Sequence, residues 1–231
     1  MANFSVVIVT AVPAGLGAEG IGAYVKVDGR ECLLRSADLF FNRESIKQIQ
    51  LVVADERFEE AKRKFGDHLS FSGAKLIAGG AHWMDQLAAA AGKIPAEITH
   101  VLIHDAARPA VAFTDLDELL AEAEKHPIAV MTTPLRGGIV ETEESGKPIA
   151  IRSVQRFQNI VTPWALRKDK FLEMVAGKRD PAATEMWLVR SSSLNVRVAG
   201  PADAALAKSM MAMLPKPKIR AADNPFEEAQ W

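Results

Sequence analysis

Asp105 and Arg108 stand at the end of an apolar run, in Val101-Leu102-Ile103-His104-Asp105-Ala106-Ala107-Arg108-Pro109. A hard carboxylate at that place can hold a divalent cation, and a guanidinium fork can hold a phosphate. The two small alanines between them let a ligand approach the backbone. His104 has no acid–base partner beside it in sequence and reads as a residue that packs or orients the loop.

A site of this kind needs a scaffold that empties several strands onto one edge. Ser5–Thr10 is β-branched and continuous, which predicts a fully buried strand, and a glycine-rich loop follows over 12–20. Tyr24–Val27 reads as a short strand turned by Asp28-Gly29, and Glu31–Phe41 has helical spacing. Further strands are expected at Ile49–Ala54, Lys75–Ile77, His100–His104 and Ile128–Thr133. Helices are expected at Glu56–Phe65, at His82–Ala91, and at Thr114–Lys125 with a Thr114/Asp117 capping box. Strands alternating with helices of this length predict a mostly parallel sheet flanked by helices. In such sheets ligands bind beyond the carboxyl ends of the strands. The first loop, Gly79-Gly80 and His104–Arg108 all fall at such ends, so three candidate segments converge on one edge.

After Pro134 the pattern changes. Leu135–Val154, with Gly137-Gly138 and Glu144-Ser145-Gly146-Lys147, reads as an extended hairpin arm of the kind that pairs with a second subunit. Ala165–Val175 reads as a helix, Asn195–Val198 as a last short strand and Pro201–Met213 as a closing helix with proline in its first turn. The expected organisation is a single domain over 1–213, with the arm at about 135–160, and a loose tail over 214–231.

Composition bounds the partners. The 231 residues are 48% hydrophobic and 25% charged, and 28 basic against 29 acidic residues leave a net charge of −1. No global field favours nucleic acid or an anionic membrane. Cys32 is the only cysteine, which excludes an intramolecular disulfide and a zinc–cysteine cluster. The apolar stretch Val6 to Val12 has no basic residue before it and is too short to span a bilayer, so a cytoplasmic protein is expected.

The Val101–Pro109 pattern resembles the signature of the 2-C-methyl-D-erythritol 4-phosphate cytidylyltransferases of isoprenoid biosynthesis, and the resemblance extends over about residues 5–213. Val27-Asp28-Gly29, Gly79-Gly80, the arm, Thr162-Pro163 and Asn195-Val196-Arg197-Val198 before Pro201-Ala202-Asp203 follow in the family's order. The resemblance implies a Rossmann-like nucleotidyltransferase fold with a protruding β-hairpin arm, an arm-exchanged homodimer, CTP and Mg²⁺. It implies attack of a sugar-alcohol phosphate on the α-phosphate of CTP, with loss of pyrophosphate. By the same resemblance Asp105 binds the metal, and Arg108, Thr162 and Arg156 bind the substrate, Arg156 reaching into the neighbouring subunit's site. Ala14, Gly15, Gly17, Gly79, Gly80, Asp85 and Asn195 fall at nucleotide-binding positions. Arg197 stands where the family has a catalytic lysine, an exchange that keeps charge but not shape.

The chain also departs from the family's pattern. The family's first loop carries an arginine and a lysine for the triphosphate, whereas here no Lys or Arg occurs from Met1 to Val25. Gly22 aligns with that lysine, Glu19 lies in the loop, and Lys26 is the nearest cation. Trp83 and Gln86 replace an arginine and a base-reading serine. Gly137-Gly138 replace an Asp-Thr pair, and Val140 replaces a lysine. A tryptophan can stack on a base, but Trp83 is expected to cover the sheet. Two readings follow: a nucleotidyltransferase of this family, with its own or a changed nucleotide and acceptor, or a catalytically impaired or non-catalytic relative that binds a phosphorylated ligand or a protein.

Overall fold

The computed structural model describes residues 2–12 and 21–215. The strands are β1 (Phe4–Val9), β2 (Lys26–Val27), β3 (Arg30–Glu31), β4 (Ile46–Ala54), β5 (Ala74–Gly79), β6 (His100–Asp105), β7 (Ile128–Pro134), β8 (Ile139–Thr142), β9 (Pro148–Arg152), β10 (Gln158–Arg167) and β11 (Trp187–Arg190). The helices are α1 (Cys32–Asp38), α2 (Phe58–Phe71), α3 (Trp83–Ala91), α4 (Phe113–Ala123), α5 (Lys168–Gly177) and α6 (Ala204–Ala212).

Seven strands form one sheet in the order β11-β7-β10-β6-β1-β4-β5. All pairings are parallel except those of β10, which runs antiparallel to both neighbours. Along β1 the side chains alternate between two cores. Val6 and Ile8 pack with Leu33 of α1, Phe65 of α2 and Leu119 of α4. Val7 and Val9 pack with Leu87 of α3 and Phe171 of α5 on the other face. Burial on both faces is why these strands read as unbroken apolar runs. Each such side chain contributes about 1.5–3 kcal/mol by leaving water.

From β1 the chain lays β4 and then β5 on one side, and places β6 on the other side of β1. The carboxyl ends of β1 and β6 therefore flank the switch point of the sheet, where open α/β sheets have their crevice. Val9 pairs with Asp105 in the register, so Asp105 sits at the crevice lip.

Four local expectations are corrected. Ala165–Val175 is not one helix: Gln158–Arg167 is strand β10, and the helix starts at Lys168. The apolar run Val161–Leu166 is buried between β6 and β7, and a short buried run has no period to tell strand from helix. A register shift between Val161 and Trp164 accommodates Pro163, which has no N–H to give the ladder. Asn195–Val198 is irregular, because the Val198 N–H donates to the Ala107 carbonyl (2.8 Å) instead of joining the sheet; β11 supplies the last strand. The Thr114/Asp117 capping box does not form. Thr114 lies inside α4, Asp117 pairs with Arg43, and Asp115 instead takes the Ser191 hydroxyl (3.0 Å) and the Ser192 N–H. Tyr24 belongs to a single 3₁₀ turn, Gly22–Tyr24, before the β2–β3 ribbon. That ribbon turns at Asp28 and Gly29, both at positive φ, as a tight hairpin requires.

The arm is present as the β8–β9 hairpin, a separate two-stranded sheet with Val140, Ile149 and Ile151 exposed. Among the described residues no helix is long and apolar enough to cross a membrane. The first-loop residues Ala14, Gly15 and Gly17, and all but the start of the 214–231 segment, lie outside the described residues.

Candidate active site

Asp105 ends β6 fully buried. Its Oδ1 accepts the Ala107 N–H (2.9 Å), which fixes the turn after the strand. Its Oδ2 accepts Nε–H of Arg197 (2.8 Å) and lies 3.7 Å from Nε of Arg108. One carboxylate is thus shared by two guanidiniums, leaving the trio one positive charge in excess. The loop beneath is tied down on all sides. Ala106 N–H donates to Val9 O (2.9 Å), and Ser36 of α1 donates to Ala106 O (2.9 Å). Alanine fits at 106 and 107 because both side chains are fully buried, Ala106 in the core with Leu33 and Phe40 and Ala107 beside Val198.

Arg108 is only 8% exposed. Its Nη1 donates to Asn195 O (3.1 Å), so it braces the segment that brings Arg197 in. Burial pushes its guanidinium below the usual arginine range, while Asp105 holds it up. Asn195 donates from Nδ2 to Thr162 O (2.9 Å), and among the described residues its buried Oδ1 has no partner. Thr162 lies behind Asp105, its hydroxyl accepting the Asp105 N–H (3.0 Å) and facing His104 Nδ1 (3.3 Å).

His104 is fully buried, edge-on to Phe40 (5.3 Å between centroids), and its Nε2 is 3.1 Å from Arg108 O. With Thr162 donating to Nδ1, the neutral ring donates from Nε2 and orients the loop. Burial, reinforced by Arg108, lowers its pKa from 6.5 to about 3. The unfolded chain therefore binds a proton that the folded chain refuses between those values. Stability contributed by His104 is complete above about pH 6.5 and falls on acidification, by at most about 1.4 kcal/mol per pH unit. Urea midpoints at pH 7 and pH 5 check this. His104→Asn should flatten that component of the difference, and an unchanged slope would assign it to other groups.

Gly79, Gly80 and Asp85 form a second cluster across β1, whereas Asn195 lies with Arg108 and Thr162. A Cβ on Gly79 would stand 2.7 Å from Val52 Cγ1, and one on Gly80 2.7 Å from Asp85 Cβ. These glycines let α3 close onto the sheet with Asp85 in its first turn. Gln86 emerges here as a positioning residue. Its Oε1 accepts the N–H groups of Thr10 (2.9 Å) and Ala11 (3.0 Å), and its Nε2 donates to Gly80 O (3.2 Å). It fixes how the chain leaves β1. The sequence signal is a long amide, next to Asp85, in a mostly apolar, Ala-rich helix. A pocket of about 340 Å³ opens beside it, lined by Thr10, Tyr24, Arg57 and His82, with Arg57 over the Tyr24 ring (4.7 Å). A larger groove between α2 and β5 contains none of the candidate residues.

The remaining candidates are placed elsewhere. Trp83 is buried against Trp164 (6.2 Å, 64°) and covers the sheet, so it is not offered to a base. Lys26 faces Glu31 (3.7 Å) across the β2–β3 ribbon. Arg156 is exposed in a 3₁₀ turn at the foot of the arm, beside Phe157 and Ile151, and is not part of the Asp105 cluster. Gly22 is packed so that a Cβ would lie 1.8 Å from Val198 O, which leaves no room for any side chain at this position.

The family model described as 2-C-methyl-D-erythritol 4-phosphate cytidylyltransferase matches residues 5–213. A protein of that name from Rhodopirellula baltica is 25% identical over 231 residues, covering 89% of this chain and 93% of the relative. One from Bacillus mycoides is 25% identical, covering 87% and 96%. The crystal structure of 4-diphosphocytidyl-2C-methyl-D-erythritol synthase from Anaerococcus prevotii superposes with a TM-score of 0.73 at 16% identity, over 91% of this chain and 99% of that one. A cytidylyltransferase from Thermus thermophilus gives 0.68 at 19%, over 89% and 98%. These structural likenesses show the Rossmann-like nucleotidyltransferase fold.

Proposed function

The chain belongs to the 2-C-methyl-D-erythritol 4-phosphate cytidylyltransferase family, and from that membership we propose that it transfers CMP from CTP to 2-C-methyl-D-erythritol 4-phosphate in isoprenoid precursor synthesis. The match over nearly the whole chain favours this reading over a non-catalytic relative. The observation that carries it is the Arg197–Asp105–Arg108 cluster at the switch point of the sheet.

A phosphate oxygen of the acceptor attacks the α-phosphorus, a new P–O bond forms, and the bond to the leaving pyrophosphate breaks. The protein's part in such a transfer is positioning and neutralisation of spreading negative charge. Arg197 is the residue for that charge, with its fork presented beside Asp105. Arg108 and Thr162 serve the acceptor phosphate side by fixing the floor of the cleft. Gly79, Gly80, Asp85 and Asn195, with Ala14, Gly15 and Gly17 of the first loop, serve the nucleotide.

Magnesium suits this donor set only in company. Asp105 is a single hard carboxylate, and no cluster of three His, Cys, Asp or Glu side chains occurs among the described residues. An ion held by Asp105 must therefore complete its shell from phosphate oxygens and water, which is how Mg²⁺ commonly binds in phosphoryl-transfer sites. Bound there, it would add positive charge beside the phosphates.

The assay is pyrophosphate release with CTP, ATP, UTP or GTP, with acceptor and Mg²⁺. Release that depends on both CTP and the acceptor is expected. No release with any nucleotide, together with no calorimetric binding of CTP, would sink the reading.

The homodimer is proposed on the arm. Val140, Ile149 and Ile151 expose apolar surface on a two-stranded hairpin that is marginal by itself. A second copy is the occupant that would also carry Arg156 to a neighbouring site. Light scattering should give a dimer for the unmodified chain and a monomer for Ile149→Asp/Ile151→Asp. A monomer for the unmodified chain overturns the proposal.

A further inference from the structure

We propose that Arg197 is the gate of the metal site: it occupies Asp105 until a nucleotide draws it away, so that a free divalent cation is refused and metal and triphosphate enter together. The proposal rests on the reading of Asp105 as the metal carboxylate.

The two carboxylate oxygens are not equivalent. Oδ1 is committed to the Ala107 N–H, and residue 107 cannot move easily because its carbonyl holds Val198 N–H. The oxygen left for a metal is Oδ2, and Arg197 Nε sits on it at 2.8 Å. A dication approaching Oδ2 meets two guanidiniums already within 4 Å of it. In a site this buried, screening by water is weak and the repulsion is felt strongly.

The two arginines are also not equivalent. Arg108 is anchored elsewhere, through Nη1 to Asn195 O, and its contact with Oδ2 is too long for a hydrogen bond. Arg197 lies on an irregular segment, and among the described residues its side chain hydrogen-bonds through Nε alone. Its terminal nitrogens are left to meet a phosphate first. A triphosphate is more highly charged than a carboxylate and offers several oxygens to the fork. Turning onto it frees Oδ2 at the moment the metal arrives with the same ligand. A lysine, with one compact ammonium, cannot hold the carboxylate with one nitrogen and greet the phosphate with others.

The test uses the full chain and Mn²⁺, followed by electron paramagnetic resonance of the free ion. Without nucleotide, the unmodified protein and Asp105→Asn should hold equally little Mn²⁺. Arg197→Gln should bind it at least tenfold more tightly, and the Arg197→Gln/Asp105→Asn double variant should lose that gain. Arg197→Lys restores a charge at the same place and should bind no more than the unmodified protein. Thermal melts confirm that each variant is folded. Equal Mn²⁺ affinity for Arg197→Gln and the unmodified protein overturns the gate, as does a gain that survives in the double variant. With CTP present, Asp105→Asn should lose Mn²⁺ binding; if it does not, the reading of Asp105 as the metal carboxylate fails, whatever Arg197 does.

Discussion

Asp105→Asn is expected to cost about 3–5 kcal/mol of stability, because it leaves two guanidiniums facing each other in a closed site with no anion between them. The amide keeps the size of the side chain and an acceptor for the Ala107 N–H, so the loss isolates charge from shape. Its NH₂ group would point a donor at Arg197, where only an acceptor fits. Turnover should fall by about 10²–10³ or more, since the carboxylate that would hold the metal beside the phosphates is lost. Urea denaturation and pyrophosphate release measure the two effects. A stability loss below about 1 kcal/mol would mean the trio behaves like an exposed ion pair, against its burial.

Gly22→Ala is the second large effect. The added Cβ would lie 1.8 Å from Val198 O, 2.9 Å from Val198 C and 3.2 Å from Ala107 Cβ. Two of those contacts are backbone, which has no rotamer by which to withdraw. Val198 is tied to Ala107 by its N–H, so relief requires the whole 195–198 segment to shift. Overpacking of this kind costs about 1–3 kcal/mol, and more when the backbone must move. The segment carries Asn195 and Arg197, and a displacement of about 1 Å there can cost roughly 10² in rate. Gly22→Lys, which would put back the residue type that the family resemblance places there, should be worse and not better. Gly92→Ala, where nothing lies within 4 Å of the new Cβ, is the control and should be near neutral in both measurements.

Three of the four failed expectations share a physical origin. β10 is buried between two strands, so its apolar run carries no alternation to distinguish it from a helix. Asn195–Val198 has the composition of a strand but spends its hydrogen bonds on Thr162 and Ala107. Thr114 and Asp117 fit a local capping pattern, yet Asp117 pairs with Arg43, far along the chain. In each case a long-range partner outcompeted a local preference.

By itself the sequence determined the class of the sheet, the edge on which the candidate site residues lie, the hairpin arm, and the chemical character of Asp105, Arg108 and Arg197. Periodicity, turn residues and charge are properties of short segments and survive without coordinates. The tertiary structure alone decided who pairs with whom. It set Arg197 against Asp105, hid Arg108 beneath Asn195, put Thr162 and His104 behind the carboxylate, and pressed Val198 onto Gly22. Those contacts depend on the crossover that returns β6 to the side of β1, and on an irregular segment folding back over the crevice. No local pattern encodes either of them.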